Sequence, residues 1–205
     1  VGQPYPFFLA HPWEGDPQTL EPLQAWQVEW KYDGIRAQVV RRAGQTWIWS
    51  RGEELITERF PEVESALAAI PDGTVLDGEL LAWRAGENTP MPFARLQQRL
   101  NRKTVTRKVL GEVPVVFLAY DLLEWQGLDI RGQVQQQRRE CLELLGQQVN
   151  LRVSELVPFQ DFSALKAMRD GARQRGVEGL MLKHGASAYG VGRRKPEGAS
   201  GLGWW

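Results

Sequence analysis

Short runs of alternating residues, separated by turn dipeptides, constrain the fold of this chain more than any other feature. Trp26–Trp30 and Ile35–Arg42 alternate on either side of Asp33-Gly34, and Thr46–Ser50 follows after an Ala-Gly pair. Successive side chains of a strand point to opposite faces, and Gly-containing dipeptides favour tight turns. These segments therefore predict two adjacent hairpins and a chain rich in antiparallel β-structure.

Later segments mix helical and strand patterns. Asp77-Gly78 predicts a further strand pair, and the apolar residues of Val113–Leu123 predict the most buried strand. Leu180–Lys183 reads as another short strand. Apolar residues with helical spacing predict helices at Phe60–Ile70, Pro92–Leu100, Gln133–Leu145 and Phe162–Arg173, the last with Asp161 as N-cap.

Length and residue usage exclude several classes of protein. The chain has 205 residues with one cysteine, Cys141, and two histidines, His11 and His184. It therefore has no internal disulfide and no Cys/His zinc site, which favours a reducing compartment. No stretch reaches the about 18 apolar residues that a membrane span needs, so we expect no membrane association. Residues 1–22 contain five prolines and are expected to be an extended wrapping segment, and residues 195–205 a loop.

Charge is sorted along the chain although its sum is zero, with 25 Lys+Arg and 25 Asp+Glu. Val1–Trp30 contains no Lys or Arg. Six cations without an acid lie in one later stretch, namely Arg95, Arg99, Arg102, Lys103, Arg107 and Lys108. A solvated helix and loop would explain this run, but it also suits contacts to a phosphate backbone.

Lys31 stands out as a candidate nucleophile. The first predicted hairpin delivers Lys31 to the Asp33-Gly34 turn and begins its second strand near Arg36, so both cations are expected to face one space. A neighbouring cation favours the neutral, nucleophilic amine. The alternative is a hairpin whose polar side chains are merely solvated.

These residues resemble a known motif. Lys31-x-Asp-Gly-x-Arg36 is similar to the first motif of the covalent nucleotidyltransferases, which comprise ATP-dependent DNA ligases, RNA ligases and messenger-RNA capping enzymes. Further stretches resemble the later motifs in the family's order, namely Ser50-Arg-Gly-Glu53, Leu76-Asp-Gly-Glu-Leu80, Phe117–Leu123, Glu178–Lys183 and Tyr189–Arg194. The resemblance covers nearly the whole chain and is strongest to the adenylation domain of a bacterial ATP-dependent DNA ligase.

The resemblance implies a fold and an activity. The fold would be α+β and ATP-grasp-like, with two mainly antiparallel β-sheets flanked by helices, the nucleotide between them, and residues 1–205 forming a single adenylation domain. Lys31 would attack the α-phosphate of ATP to form lysyl-AMP, and AMP would pass to the 5′-phosphate of a nick. The family's fifth motif, Lys-x-Lys, and the oligonucleotide-binding-fold domain that follows it are absent from this sequence, so we expect the fragment to be impaired in full ligation.

The resemblance also implies roles for individual residues. Six would bind the nucleotide: Glu29 at the adenine amino edge, Tyr120 stacked on adenine, Arg36 and Glu79 at the ribose, and Arg51 and Lys183 at phosphates. Glu178, together with Glu79, would bind Mg²⁺, since carboxylate oxygens suit this ion. The six-cation run would contact nicked double-stranded DNA.

The resemblance also implies a cellular context and leaves two alternative functions open. The resemblance implies a monomer in the bacterial cytoplasm, associated with the nucleoid, that carries additional DNA-binding and oligonucleotide-binding-fold domains in the full-length protein. Two alternatives remain: an RNA ligase or capping-type nucleotidyltransferase, and a non-catalytic module that kept the fold and binds nucleotide or nucleic acid.

Overall fold

The computed structural model describes residues 1–15, 17, 22–195 and 202–205. Its twelve strands are β1 (Phe8–Leu9), β2 (His11–Pro12), β3 (Trp26–Lys31), β4 (Ile35–Arg42), β5 (Gln45–Ser50), β6 (Thr74–Ala82), β7 (Val115–Trp125), β8 (Leu128–Asp129), β9 (Arg152–Val153), β10 (Gly179–His184), β11 (Gly192–Arg193) and β12 (Leu202–Trp204). Its α-helices are α1 (Pro61–Ala66), α2 (Phe93–Leu100), α3 (Arg107–Glu112), α4 (Gln135–Gln148) and α5 (Phe162–Asp170).

The chain divides into two compact units. The first unit contains residues 1–5, 33–130 and 139–153, and the second contains residues 6–32, 131–138 and 154–205. Each unit has its own sheet and its own apolar core. Both sheets are mainly antiparallel, so the predicted α+β class with two such sheets is confirmed.

The first unit is built on a six-stranded sheet. Its strands run in the order β5-β4-β6-β7-β8, and β9 pairs in parallel with β7. Residues of β4, β6 and β7 are almost continuously buried, as expected for central strands. Val63, Leu67 and Ile70 pack into this core, which confirms the predicted apolar face although α1 ends at Ala66. The predicted strand Val113–Leu123 is β7.

The second unit is built on a four-stranded sheet in the order β2-β12-β10-β3. Trp26, Val28, Leu180 and Leu182 fill its core, and Leu165 of α5 joins them. Asp161 accepts a hydrogen bond from the backbone N–H of Ala164 at 2.8 Å, which confirms the predicted N-cap. A separate two-stranded pair joins β1 to β11.

The first predicted hairpin is wrong. β3 does not pair with β4; it pairs with β10, about 150 residues later in the sequence, whereas β4 pairs with β5 and β6. Asp33-Gly34 is therefore a connection from one sheet to the other. The hairpin predicted between β4 and β5 is confirmed.

The strand pair predicted around Asp77-Gly78 is also wrong. Both residues lie inside the single nine-residue strand β6. A Cβ atom at residue 78 would lie 2.2 Å from the carbonyl oxygen of Leu118, so the glycine permits a close approach of two strands and forms no turn.

The predicted extended segment and the predicted terminal loop both contain short strands. β1 and β2 lie within residues 1–22, and β12 lies within residues 195–205. The rest of the predicted terminal loop, residues 196–201, lies outside the described residues, as do residues 16 and 18–21. Among the described residues, no helix has both the length and the apolar character to cross a membrane.

Candidate active site

One face of the second unit's sheet carries three of the predicted site residues. Glu29 and Lys31 are two residues apart in β3, so their side chains share a face. Met181 of β10 pairs with Glu29, which places Lys183, two residues later, on that same face. The pairing of β3 with β10 thus brings together residues that are far apart in the sequence.

Lys31 lies at the end of β3 opposite a carboxylate. Its ammonium donates to Glu178 Oε2, and the backbone N–H of Glu178 donates to the Lys31 carbonyl oxygen at 2.8 Å. The Lys31 side chain is 26% exposed and that of Glu178 42% exposed. The indole of Trp204 lies beneath the ammonium, with Nζ 5.1 Å from the ring centroid. This amine is therefore accessible, and its neighbour is an acid where the sequence analysis expected a cation.

Lys183 forms the second ion pair of this face. Its Nζ lies 2.6 Å from Glu29 Oε2, and both side chains are buried, at 6% and 1% exposure. Burial of a charge requires such a partner. The two predicted nucleotide-binding residues of β3 and β10, Glu29 and Lys183, therefore neutralise each other.

The first unit places Arg36 with a residue to which the sequence analysis gave no role. Arg36 donates from Nε to Asp77 Oδ1 at 2.7 Å and from Nη2 to Asp77 Oδ2 at 2.6 Å. Asp77 is fully buried, and its two bonds hold the guanidinium in a planar fork. Asp77 belongs to the quoted Leu-Asp-Gly-Glu-Leu stretch, so the motif itself contained the signal.

Glu79 and Tyr120 complete the polar face of this sheet. Glu79 of β6 lies opposite Arg36 of β4 in the backbone register of the sheet. The Tyr120 hydroxyl donates to Glu79 Oε1 at 3.4 Å. The pairing of β6 with β7 shifts register at Asp77/Gly78, which leaves Tyr120 as an extra residue. Such a bulge re-aims a side chain. The Tyr120 ring therefore lies under Arg36, whose guanidinium carbon is 5.4 Å from the ring centroid.

Arg51 lies at the exposed turn after β5. Its neighbour Glu54 pairs with Arg59 at 3.1 Å. The Arg51 side chain is exposed to solvent, and its phosphate contact stays a prediction.

The six-cation run is less uniform than its sequence suggests. Arg99 is buried at 3% exposure and donates to Glu62 and to the carbonyl oxygens of Val113 and Arg59, both at 2.9 Å. Its predicted contact with DNA is wrong for this conformation, because the guanidinium is used inside the first unit. Glu62, 37 residues from Arg99, supplies an acidic partner that the run itself lacks. The exposed Lys108 lies 3.8 Å from Glu112. Arg95, Arg102, Lys103, Arg107 and Lys108 stay predicted DNA contacts.

The surroundings of Cys141 do not favour a reactive thiol. Burial raises the pKa of the Cys141 thiol, which disfavours the reactive thiolate. Within the described ranges, no cluster of three or more His, Cys, Asp or Glu side chains could hold a metal ion. A metal held by a single carboxylate and water is compatible with this, and Glu178 offers an exposed carboxylate.

Comparison with known proteins decides the family. A family model described as ATP dependent DNA ligase domain matches residues 7–197. The chain belongs to the ATP-dependent DNA ligase domain family. A probable DNA ligase of Koribacter versatilis is 37% identical over 93% of this chain and 37% of its own length. One of Opitutus terrae is 36% identical over 94% of this chain and 21% of its own length. The chain thus spans about a fifth to two-fifths of these curated relatives.

A solved structure in this family supports the fold. A mycobacterial DNA ligase D complexed with ATP and MES is 28% identical, with a TM-score of 0.76 over 97% of this chain and 59% of that one. The family match confirms the predicted family membership. Residue roles within the family stay predictions for this chain.

Proposed function

We propose that this chain is the adenylation domain of an ATP-dependent DNA ligase and that Lys31 forms the lysyl-AMP intermediate. The observation that supports this most is the position of Lys31. It is an accessible amine at the end of a strand, within the quoted motif, on the sheet face that also carries Lys183. An exposed amine that a single carboxylate holds can be released for attack.

In the proposed step, the AMP group of ATP is transferred to the Lys31 amine. The Lys31 ammonium first loses one proton to solvent. The neutral amine then forms an N–P bond with the α-phosphorus of ATP, and the bond from that phosphorus to the bridging oxygen breaks. Pyrophosphate leaves with the electron pair, and one of the two protons on the attacking nitrogen passes to solvent, so that lysyl-AMP keeps one N–H. Phosphoryl transfer of this kind depends mainly on positioning and charge neutralisation.

The second unit contributes the charged groups in this proposal. Lys183 would exchange its Glu29 partner for a phosphate oxygen, which frees the Glu29 carboxylate to accept from the adenine amino group. Glu178 would hold Mg²⁺ through an oxygen and release Lys31. Bound Mg²⁺ supplies charge neutralisation at the phosphates.

The first unit contributes the nucleoside-binding groups. The Tyr120 ring would stack on the base, while Arg36 and Glu79 would bind ribose hydroxyls. Asp77 positions Arg36 for that contact, since its fork fixes the guanidinium plane. Arg51 would meet the AMP phosphate or the 5′-phosphate of the nick.

The proposed substrate is nicked duplex DNA. The five exposed or half-buried cations left in the run from Arg95 to Lys108 would contact its backbone phosphates and position the duplex without reading sequence. We further propose that the protein acts as a monomer in the bacterial cytoplasm, in association with the nucleoid. Additional DNA-binding and oligonucleotide-binding-fold domains would complete the ligase, as the partial coverage of its relatives suggests.

Labelling with ATP tests the proposal. The longest form that the gene encodes is incubated with Mg²⁺ and ATP labelled at the α-phosphate, and label on protein is measured. We expect label on the wild type and on Lys166→Ala, an exposed surface lysine, and complete loss in Lys31→Ala. Unlabelled wild type, or label that persists in Lys31→Ala, contradicts the proposal. Sealing of a nicked DNA duplex, compared with a nicked RNA duplex, separates the substrates.

A further inference from the structure

Two exposed guanidiniums lie on tryptophans of the second unit. The guanidinium carbon of Arg175 is 4.7 Å from the ring centroid of Trp30, and that of Arg169 is 4.5 Å from the ring centroid of Trp205. Both arginines are exposed, and the two tryptophans are half-buried and buried. We call these four residues the arginine–tryptophan surface.

The sheet fixes where this surface lies relative to Lys31. Leu180 pairs with Trp30 in β3 and exchanges two backbone hydrogen bonds with Trp205, at 2.7 and 2.8 Å. The two tryptophans therefore flank Leu180 on one face of the sheet, with their backbones about 10 Å apart by strand spacing. Lys31 follows Trp30 directly in β3 and projects to the other face.

Local charge favours an anionic partner. Residues 166–175 contain four exposed cations, Lys166, Arg169, Arg173 and Arg175, and one acid, Asp170. Two other acids of this region are engaged. Asp161 caps α5, and Glu178 accepts from Lys31. The surface thus presents an excess of positive charge in the unit that carries Lys31, on the opposite face of its sheet.

Stacking prepares these arginines for phosphate. An arginine over an indole is held there by the attraction between the cation and the ring. Its N–H groups then point outward from the edge in the fork that matches two phosphate oxygens. Because the side chain is already ordered, less conformational entropy is lost when a phosphate binds.

We infer that Arg169 and Arg175 contact the phosphate backbone of duplex DNA. This inference rests on the proposed ligase function and adds a second DNA contact surface to the predicted run of Arg95–Lys108. The surface lies in the unit that carries Lys31, so a duplex bound there would be held by the same unit as the nucleophile. No base is read, since both groups address phosphate alone.

Binding of nicked duplex DNA, measured by fluorescence anisotropy over a series of salt concentrations, tests the inference. For the double variant Arg169→Ala/Arg175→Ala we expect about 5- to 20-fold weaker binding in about 0.1 M salt, and a salt slope lowered by about 2. Arg173→Ala is the matched control, because Arg173 is exposed in the same turn. It should change affinity less than about threefold. Labelling by ATP should be unchanged in all of these variants.

A second double variant separates the effect of positive charge from that of the planar guanidinium. It also guards against a loss of DNA binding that is caused only by unfolding. Arg169→Lys/Arg175→Lys keeps both charges and covers the indoles, and should bind DNA with an intermediate affinity if the planar fork matters. Double variants that bind DNA with wild-type affinity and salt slope, while still labelled by ATP, overturn this surface and leave the proposed function standing. Wild type that is not labelled by ATP contradicts the proposed function instead.

Discussion

Three arginines of the first unit are held by carboxylate forks, whereas two lysines of the second unit are held in ammonium–carboxylate pairs. Arg36–Asp77, Arg42–Glu124 and Arg99–Glu62 each join two guanidinium nitrogens to two carboxylate oxygens. Lys31–Glu178 and Lys183–Glu29 each join one ammonium to one oxygen. A guanidinium fork fixes a plane, while an ammonium is a point charge that exchanges partners without reorientation.

This difference fits the division of labour that we propose. Groups that orient a nucleoside need fixed planes, and Asp77 fixes that of Arg36. A group that attacks a substrate or changes partners needs contacts that break at low cost. The ion pair of Lys31 with Glu178 is such a contact, because it is exposed. Replacing Asp77 should therefore cost much stability, and replacing Glu178 little, although ATP labelling should fall in both variants.

Asp77→Ala should have the largest effect on stability. It leaves the Arg36 guanidinium, which is only 14% exposed, without its carboxylate partner. Removing one member of a buried pair costs about 3–5 kcal/mol. Urea unfolding should show this loss, and labelling by ATP should fall. Asp72→Ala is the control, since Asp72 is 54% exposed and lies 3.8 Å from Arg41. An equal, small effect of both variants would remove the distinction that we draw.

Gly78→Ala should be the next most damaging change in the first unit. The added Cβ meets backbone at 2.2 Å, and forced overpacking of this kind costs about 1–3 kcal/mol. Gly111→Ala is the matched control, because nothing lies within 4 Å of its Cβ position in α3. That change should stabilise the protein by about 0.5–1 kcal/mol. Thermal unfolding that ranks the two variants in the reverse order would contradict the close approach of β6 to β7.

Tyr5 tests the forks of the first unit through pH. Burial, followed by the hydrogen bond to Glu124, raises the pKa of Tyr5 from 10.0 to about 12. Burial also raises the pKa of Glu124, but hydrogen bonds from Arg42 and Tyr5 outweigh it and lower that pKa below its usual value.

Since the folded pKa of Tyr5 is raised, its contribution is fully present below pH 10 and is lost as pH rises through about 12. Unfolding free energy measured across this interval should therefore fall more steeply for wild type than for Tyr5→Phe. Parallel curves for the two proteins would show that Tyr5 contributes nothing there.

Glu178→Gln should have the smallest effect on stability in this series. Its pair with Lys31 is exposed, and exposed pairs contribute about 0–1 kcal/mol. Labelling by ATP should nevertheless fall sharply, because the proposed Mg²⁺ ligand is lost. Urea unfolding and labelling of the same preparation measure both quantities. A loss of stability as large as that of Asp77→Ala would erase the contrast between the two units.

The sequence supported local features better than strand partners. Alternation located β4 and β5, an apolar run located β7, and Asp161 was recognised as an N-cap, because these signals lie within a few residues. The pairing of β3 with β10 could not be inferred from the same signals, since an Asp-Gly pair looks alike in a hairpin and in a connection between sheets. Only the family resemblance joined Lys31 with Lys183.

The candidate site shows the same limit. Motif positions identified Glu29, Glu79 and Tyr120, but the partner of each charge depended on tertiary structure. Asp77 was taken for a turn residue, and Arg99 for a DNA contact, because burial of a charge is invisible when its partner is remote in the sequence. Glu62 lies 37 residues from Arg99.

Mapping the adenylated residue tests the central claim most directly. The second unit presents Lys31 as the accessible amine and Lys183 as the buried one on the same sheet face. Peptide mass analysis of the protein after reaction with ATP and Mg²⁺ distinguishes the two. We predict that AMP is attached to the peptide containing Lys31 and that Lys183 is unmodified. AMP on Lys183, or on any residue other than Lys31, would contradict the account.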